Sequence, residues 1–156
     1  MKLEENCKTT NLGSQEVRFI HEPVLESHTT QKFWQYQFRN SSEHPWNSFY
    51  CFSETEFFHP DFEAMNYFTS TSPASFHTTG IFVVKFVTGE HGEIKGKQML
   101  VNDTVKENMG GRSKTIKICK DEADRVATLE AVFGMQLVEE EILAIQGMVT
   151  ELKPIP

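Results

Sequence analysis

The stretch NYFTSTSP, residues 66–73, sets Thr69, Ser70, Thr71 and Ser72 in an unbroken row behind two aromatics, and Ser75 follows just past Pro73. Two kinds of chemistry fit such a row. Hydroxyls at a helix C-terminus hydrogen-bond nearby backbone groups. Hydroxyls and free amides on a polar loop can instead contact a phosphate or an amide-bearing ligand. Spacing alone admits both readings, local capping being the simpler.

The other reactive side chains offer less. Six histidines stand at positions 21, 28, 44, 59, 77 and 91, with no H-x-x-x-H or Cys/His ligand spacing, so no metal is expected. His59, before Pro60, fits the start of a helix. Cys51, between Tyr50 and Phe52 in an expected strand, reads as a buried, inert thiol. Cys119 lies close to Asp121, and a carboxylate there opposes thiolate formation. Cys7 sits in an acidic segment with no activating neighbour. The Gly110–Gly111 pair lacks the spacing of either glycine-rich phosphate loop. Glu139–Glu141 read as a solvated first helical turn.

Bulk properties narrow the classes. The chain has 156 residues, enough for one domain or part of a larger protein, and 13 phenylalanines to build a core. A net charge of −7 with scattered Lys and Arg argues against nucleic acid as a partner. No apolar run reaches the roughly 20 residues of a membrane span. The polar start MKLEENCKTTNLGSQ has no signal-peptide core, and three well-separated cysteines read as reduced thiols. A cytoplasmic protein is the expectation.

The elements that must position the hydroxyl row follow from periodicity. Residues 1–15 are expected as a tail or a loop leading into the fold. VRFIHEPV, KFWQYQFR and WNSFYCF are expected strands. In the second of these, Trp34, Tyr36 and Phe38 alternate with Phe33, Gln35, Gln37 and Arg39, which predicts one apolar face. HPDFEAMNYF switches to helical spacing, with Pro60 in the first turn and Asp61 and Glu63 at the positive end of the helix dipole. Pro73 forces the helix to stop before it. GIFVVKFV, IKGKQMLV and RSKTIKIC, punctuated by Asn102–Asp103 and Gly110–Gly111, predict an antiparallel meander over residues 81–119. Asp121 is placed to cap a helix that Gly134 ends. A last helix is expected over EEEILAIQGMV, with Ile142, Ile145, Val149 and Leu152 on one face.

Across residues 17–152 the chain resembles the arylamine N-acetyltransferase family. The matching features are Trp46 followed by Tyr50 and Phe52, then Asp61, Phe62 and Glu63 with Asn66, then Thr71, Ser72, Pro73 and Ser75. MLVNDTVKE and LEAVFGMQL continue the likeness, and the AIQGMVTEL ending is most similar to fungal members. The resemblance implies acyl transfer from acetyl-CoA to an aromatic amine or hydrazine through a cysteine activated by histidine, in a Cys-His-Asp triad.

The family's Arg-Gly-Gly-x-Cys and Asp-Val-Gly-Phe-Gly motifs do not occur here, so the resemblance supplies no catalytic residue. It implies that the chain corresponds to the C-terminal portion of the family's fold, whose first domain is helical, followed by a β-barrel and an α/β lid. The expected class is therefore α+β: a remnant of the antiparallel β-barrel plus an α/β lid with C-terminal helices. Residues 16–75 would be the barrel part with its connecting helix, and 76–156 the lid. Carried over by position, Phe68, Thr71, Ser72 and Ser75 would form the cofactor loop for acetyl-CoA. Phe68 replaces a frequent tyrosine and Ala74 a serine of some members, leaving fewer polar contacts to CoA. The implied partners are CoA and an arylamine, and an unpaired sheet edge could drive association. The competing classes are a non-catalytic binding or regulatory chain and an unrelated small β-rich domain.

Overall fold

The computed structural model describes residues 3–25 and 28–153. The strands are β1 (Thr9–Thr10), β2 (Glu16–Pro23), β3 (Lys32–Arg39), β4 (Asn47–Phe52), β5 (Phe82–Thr88), β6 (Ile94–Val101), β7 (Thr104–Met109) and β8 (Arg112–Ile118). The helices are α1 (His59–Thr71), α2 (Phe76–Thr79), α3 (Glu122–Thr128), which continues into a π-helical turn over Leu129–Phe133, and α4 (Glu139–Leu143). The strands form two four-stranded sheets, β1-β2-β3-β4 and β5-β6-β7-β8, and no closed barrel among the described residues. Contacts divide the chain into two units. One holds the described residues up to Glu56 with Thr88–Gly96 and Met109–Arg112. The other holds Phe57–Val87, Lys97–Asn108 and the described residues from Ser113 onward.

In the first unit, β2 and β3 pair antiparallel along their whole length, from Glu16 opposite Arg39 to Pro23 opposite Lys32. β3 and β4 pair with a bulge, since Tyr36 faces Tyr50 while Gln37 faces Ser48. Within residues 1–15, expected as a tail or an entry loop, Thr9–Thr10 pair with β2 and Leu12 is buried.

The aromatic face of β3 is not the buried one. Trp34, Tyr36 and Phe38 stay partly exposed, while Gln35 and Gln37 are only 8% exposed beside buried Ile20. Polar burial is possible here because each amide finds partners. Gln35 Nε2 donates to the carbonyls of Glu22 (3.3 Å) and Pro23 (3.4 Å). The Ser48 hydroxyl donates to Gln35 Oε1 (3.2 Å) and accepts from Gln37 Nε2 (3.0 Å). Arg18 Nε donates to Gln37 Oε1 (2.9 Å), and the guanidinium groups of Arg18 and Arg39 lie 4.3 and 4.6 Å from the Trp46 ring centre.

On the aromatic face, Tyr36 stacks on Tyr50 at 5.2 Å and packs edge-on against Phe19 at 5.5 Å. Burial, with a smaller push from neighbouring Tyr50, raises the Tyr36 phenol above its ordinary value. Cys51, expected to be buried, is exposed. It lies on β4, the edge strand, where Asn47 to Cys51 are all exposed.

The second unit holds most of the sheet β5-β6-β7-β8, a meander of sequence neighbours joined by tight turns, which only antiparallel strands permit. Its core is Leu100 and Val105, both fully buried, with Cys119, Leu129 and Phe133; Ile81, Val83, Val132, Leu137 and Leu152 pack against it. Asp121 caps α3 by accepting from the Asp124 amide at 2.8 Å, and Gly134 ends the π-helical turn at φ 72°. A side chain would strain that left-handed position. α4 covers Glu139–Leu143 only, shorter than expected, and Gly147 at φ 76° turns the chain afterwards. Val149, expected on the apolar face of a long helix, is 76% exposed. No helix among the described residues is long and apolar enough to cross a membrane.

Candidate functional site

α1 begins as its sequence dictates. Pro60 occupies the first turn, the Asp61 carboxylate accepts from the Phe58 amide at 2.8 Å, and His59 pairs with Glu63 one turn on. The helix ends at Ser72, whose amide still donates to the Phe68 carbonyl (3.0 Å) while its backbone is already extended ahead of Pro73. No residue of α1 is buried. Tyr67 and Phe68 are 72% and 58% exposed.

The hydroxyl row is bonded to its own backbone. Thr69 Oγ1 donates to the carbonyl of Asn66 (3.0 Å), within reach of that of Met65 (3.2 Å). Ser70 Oγ donates to Asn66 O (2.7 Å) and Thr71 Oγ1 to Tyr67 O (2.6 Å). Past the helix, Ser72 Oγ accepts from the Ala74 amide (3.3 Å). Ser75, 6% exposed, caps α2: it accepts from the His77 amide (3.2 Å) and donates back to Thr69 O (2.7 Å). Thr78 Oγ1 closes the turn onto Ser72 O (2.6 Å).

The four residues singled out from the sequence thus share one turn with different roles. Phe68 and Thr71 face solvent, Ser72 is half-buried, and Ser75 is a buried strut. The loop can offer a ligand an exposed aromatic ring and hydroxyl oxygens able to accept; the protons of Thr71 and Ser75 point to main-chain carbonyls. Such a surface suits a ligand carrying amide N–H groups better than a bare anion, which needs donors. Tyr67, not singled out, supplies the carbonyl that holds Thr71 and presents its ring to solvent; two adjacent aromatics just before the hydroxyl row were the signal.

The remaining reactive groups do not converge. Cys7 and Cys51 are exposed, and the buried Cys119 thiol lies 3.6 Å from Thr128 Oγ1. No cysteine hydrogen-bonds a histidine among the described residues. His21 stacks on Trp34, and His44 Nδ1 shares a hydrogen bond with Ser41 Oγ. No group of three or more His, Cys, Asp or Glu among the described residues could hold a metal ion.

Comparison with known proteins supplies a context for the loop. A family model described as N-acetyltransferase matches residues 7–142. N-malonyltransferase FDB2 of Gibberella moniliformis is 34% identical over 148 residues, covering 89% of this chain and 43% of that protein. The corresponding protein of Fusarium pseudograminearum is 32% identical over 149 residues, with the same shares. The chain therefore spans less than half the length of these curated relatives. Among solved structures, the arylamine N-acetyltransferase of Mycobacterium abscessus superposes with a TM-score of 0.71 at 22% identity, over 90% of this chain and 46% of that one. The Salmonella typhimurium enzyme gives 0.67 at 20%, over 93% and 50%. The Mycobacterium marinum enzyme in complex with CoA gives 0.65 at 19%, over 96% and 46%. At these identities the structural likeness is one of fold.

Proposed function

Starting from a chain that belongs to the arylamine N-acetyltransferase family, we propose that its 66–79 segment is the cofactor side of an acyl-CoA site. Phe68, Thr71, Ser72 and Ser75 form the loop, within a protein that moves an acyl group from CoA to an aromatic amine or hydrazine. The observation that carries this reading is the self-braced turn: Ser75 and Thr78 fix its backbone, so that Phe68 and Thr71 are presented to solvent without a mobile loop. Preorganisation of this kind lowers the ordering cost of binding. Thr71 Oγ1 can accept from an amide N–H of the pantetheine arm, and Phe68 offers an apolar wall beside it.

On this reading residues 16–75 belong to the family's barrel and connecting helix, 76–156 belong to the lid, and the setting is cytoplasmic. The acyl donor is a CoA thioester, acetyl-CoA by family or malonyl-CoA by likeness to the fungal N-malonyltransferases. On this reading the chain by itself transfers no acyl group, since no cysteine hydrogen-bonds a histidine among the described residues.

Calorimetric titration of the chain with CoA, acetyl-CoA and malonyl-CoA tests this. Saturable binding that Thr71→Ala and Phe68→Ala weaken is expected; no binding of any of the three overturns the assignment. A second reading, a non-catalytic binding or regulatory chain, is favoured by the bare surface of α1, where Phe62, Met65 and Phe68 are 57%, 43% and 58% exposed. Acyl transfer by the purified chain, abolished by Cys51→Ser, would exclude both that reading and the absence of a nucleophile.

A further inference from the structure

Away from the hydroxyl loop, α3 and the segment from α4 to Glu151 enclose an open groove of about 480 Å³ within the second unit. Its floor is apolar: Val126 and Ala127 of α3 on one side, Ile142 and Ile145 on the other. The only ionisable side chains among its lining residues are carboxylates. Glu122 is already balanced, because its oxygens take the buried Arg125 guanidinium and the Leu152 amide. Glu151 is half-committed, one oxygen accepting from the Gly147 amide at 2.9 Å. Glu130, exposed on the π-helical turn, makes no side-chain hydrogen bond or ion pair among the described residues. The groove therefore carries carboxylates on its rim and, among its described lining residues, no basic side chain.

An apolar floor beneath such a rim selects for an apolar body bearing a positive charge. The volume lies within the roughly 300–1,000 Å³ of small-molecule sites. We propose that this groove binds a small amphipathic organic cation, such as an arylalkyl ammonium, with its ring over Val126, Ile142 and Ile145 and its charge against Glu130 and Glu151. The assignment does not depend on the acyl-CoA reading. The two sites share no residue, so each can fail while the other stands.

The test is a ¹H–¹⁵N NMR titration of the full chain with 1-naphthylmethylammonium, using neutral 1-naphthalenemethanol as control. The ammonium should bind at least tenfold tighter than the alcohol and shift resonances within residues 122–151, with the difference shrinking as salt is raised. The double variant Glu130→Gln/Glu151→Gln should erase the tenfold preference. Ala127→Trp, an exposed position on the floor, should abolish both bindings while circular dichroism shows the fold retained. Equal affinity for cation and alcohol, shifts elsewhere in the chain, or an unchanged preference in the double variant would overturn the proposal. So would saturation of the same resonances by a basic amphipathic peptide at far lower concentration, which would make the occupant a protein.

Discussion

Arg125, with 1% of its side chain exposed, lays its guanidinium on the carboxylate of Glu122 one helical turn upstream. The rest of the fork reaches outward, with Nη1 on the Asn102 carbonyl at 3.3 Å and Nη2 on that of Thr150 at 2.9 Å. One buried cation thus ties α3 to the β6–β7 turn and to the C-terminal segment, whose Leu152 amide returns to the same carboxylate at 3.1 Å.

Removing that cation strands Glu122 and two carbonyls. Arg125→Ala is expected to destabilise the second unit by about 3–5 kcal/mol, the usual cost of breaking a buried pair from one side. Arg125→Lys should recover only part of this, since an ammonium keeps the charge but not the planar fork. Urea melts of the three proteins check both statements.

Asp124 gives the stability a pH dependence. The Lys117 ammonium, 2.6 Å away, and the Lys120 amide hold its carboxyl below the usual carboxylate range. Its folded value is lower than its unfolded one, so its contribution is complete above the unfolded value, about 4, and is lost as pH falls through the folded value. Lys117→Met should flatten the acid limb of the stability–pH curve by lowering the plateau towards neutrality, leaving stability at the acid extreme, where Asp124 is protonated, nearly unchanged. An unaltered acid limb, followed by thermal melts from pH 2 to 7, would rule the pair out as a contributor.

Ser75 and Thr71 should separate architecture from recognition. Ser75→Ala removes a buried cap and is expected to cost about 0.5–2 kcal/mol. Thr71→Ala, at an exposed position, should change stability by less than about 0.5 kcal/mol while weakening CoA binding. Paired measurements of melting and CoA affinity distinguish the roles. A Ser75→Ala protein of full stability would deny the strut.

The outer edge of β4 should make the chain self-associate. Phe49 and Tyr50 are 72% and 50% exposed there, and an unpaired edge templates another strand. Sedimentation should show mass rising with concentration, and Phe49→Lys should shift the population toward monomer. A single monomeric species over the whole concentration range would dismiss the edge as an association site.

Features governed by local chemistry are legible in the chain. Pro60, Asp121 and Gly134 mark helix ends by rules that involve only their near neighbours, and the structure has those ends. Asn102–Asp103 and Gly110–Gly111 likewise turn the meander as expected, Asn102 at φ 56°. What depends on distant partners is not legible. Alternation in β3 identifies two faces but assigns burial by hydrophobicity; the amides of Gln35 and Gln37 reverse it because Ser48 and Arg18, on neighbouring strands, satisfy them. Cys51 follows the same lesson, its strand lying at an edge. At the hydroxyl loop, composition locates the turn, but not that Thr71 and Ser75 direct their protons to main-chain carbonyls.

The amide relay from Gln35 through Ser48 to Gln37 has a consequence for how the first sheet finds its alignment. Side-chain alternation repeats every two residues, so slipping β4 by two positions would keep every residue on its original face. Hydrophobic patterning is degenerate with respect to that error. The relay is not: a two-residue slip carries the Ser48 hydroxyl away from both glutamines and leaves Gln35 Oε1 and Gln37 Nε2 without it, at about 1–3 kcal/mol for each orphaned group. Two glutamines and one serine thereby act as a phase marker, singling out one alignment from a ladder of near-equivalent ones.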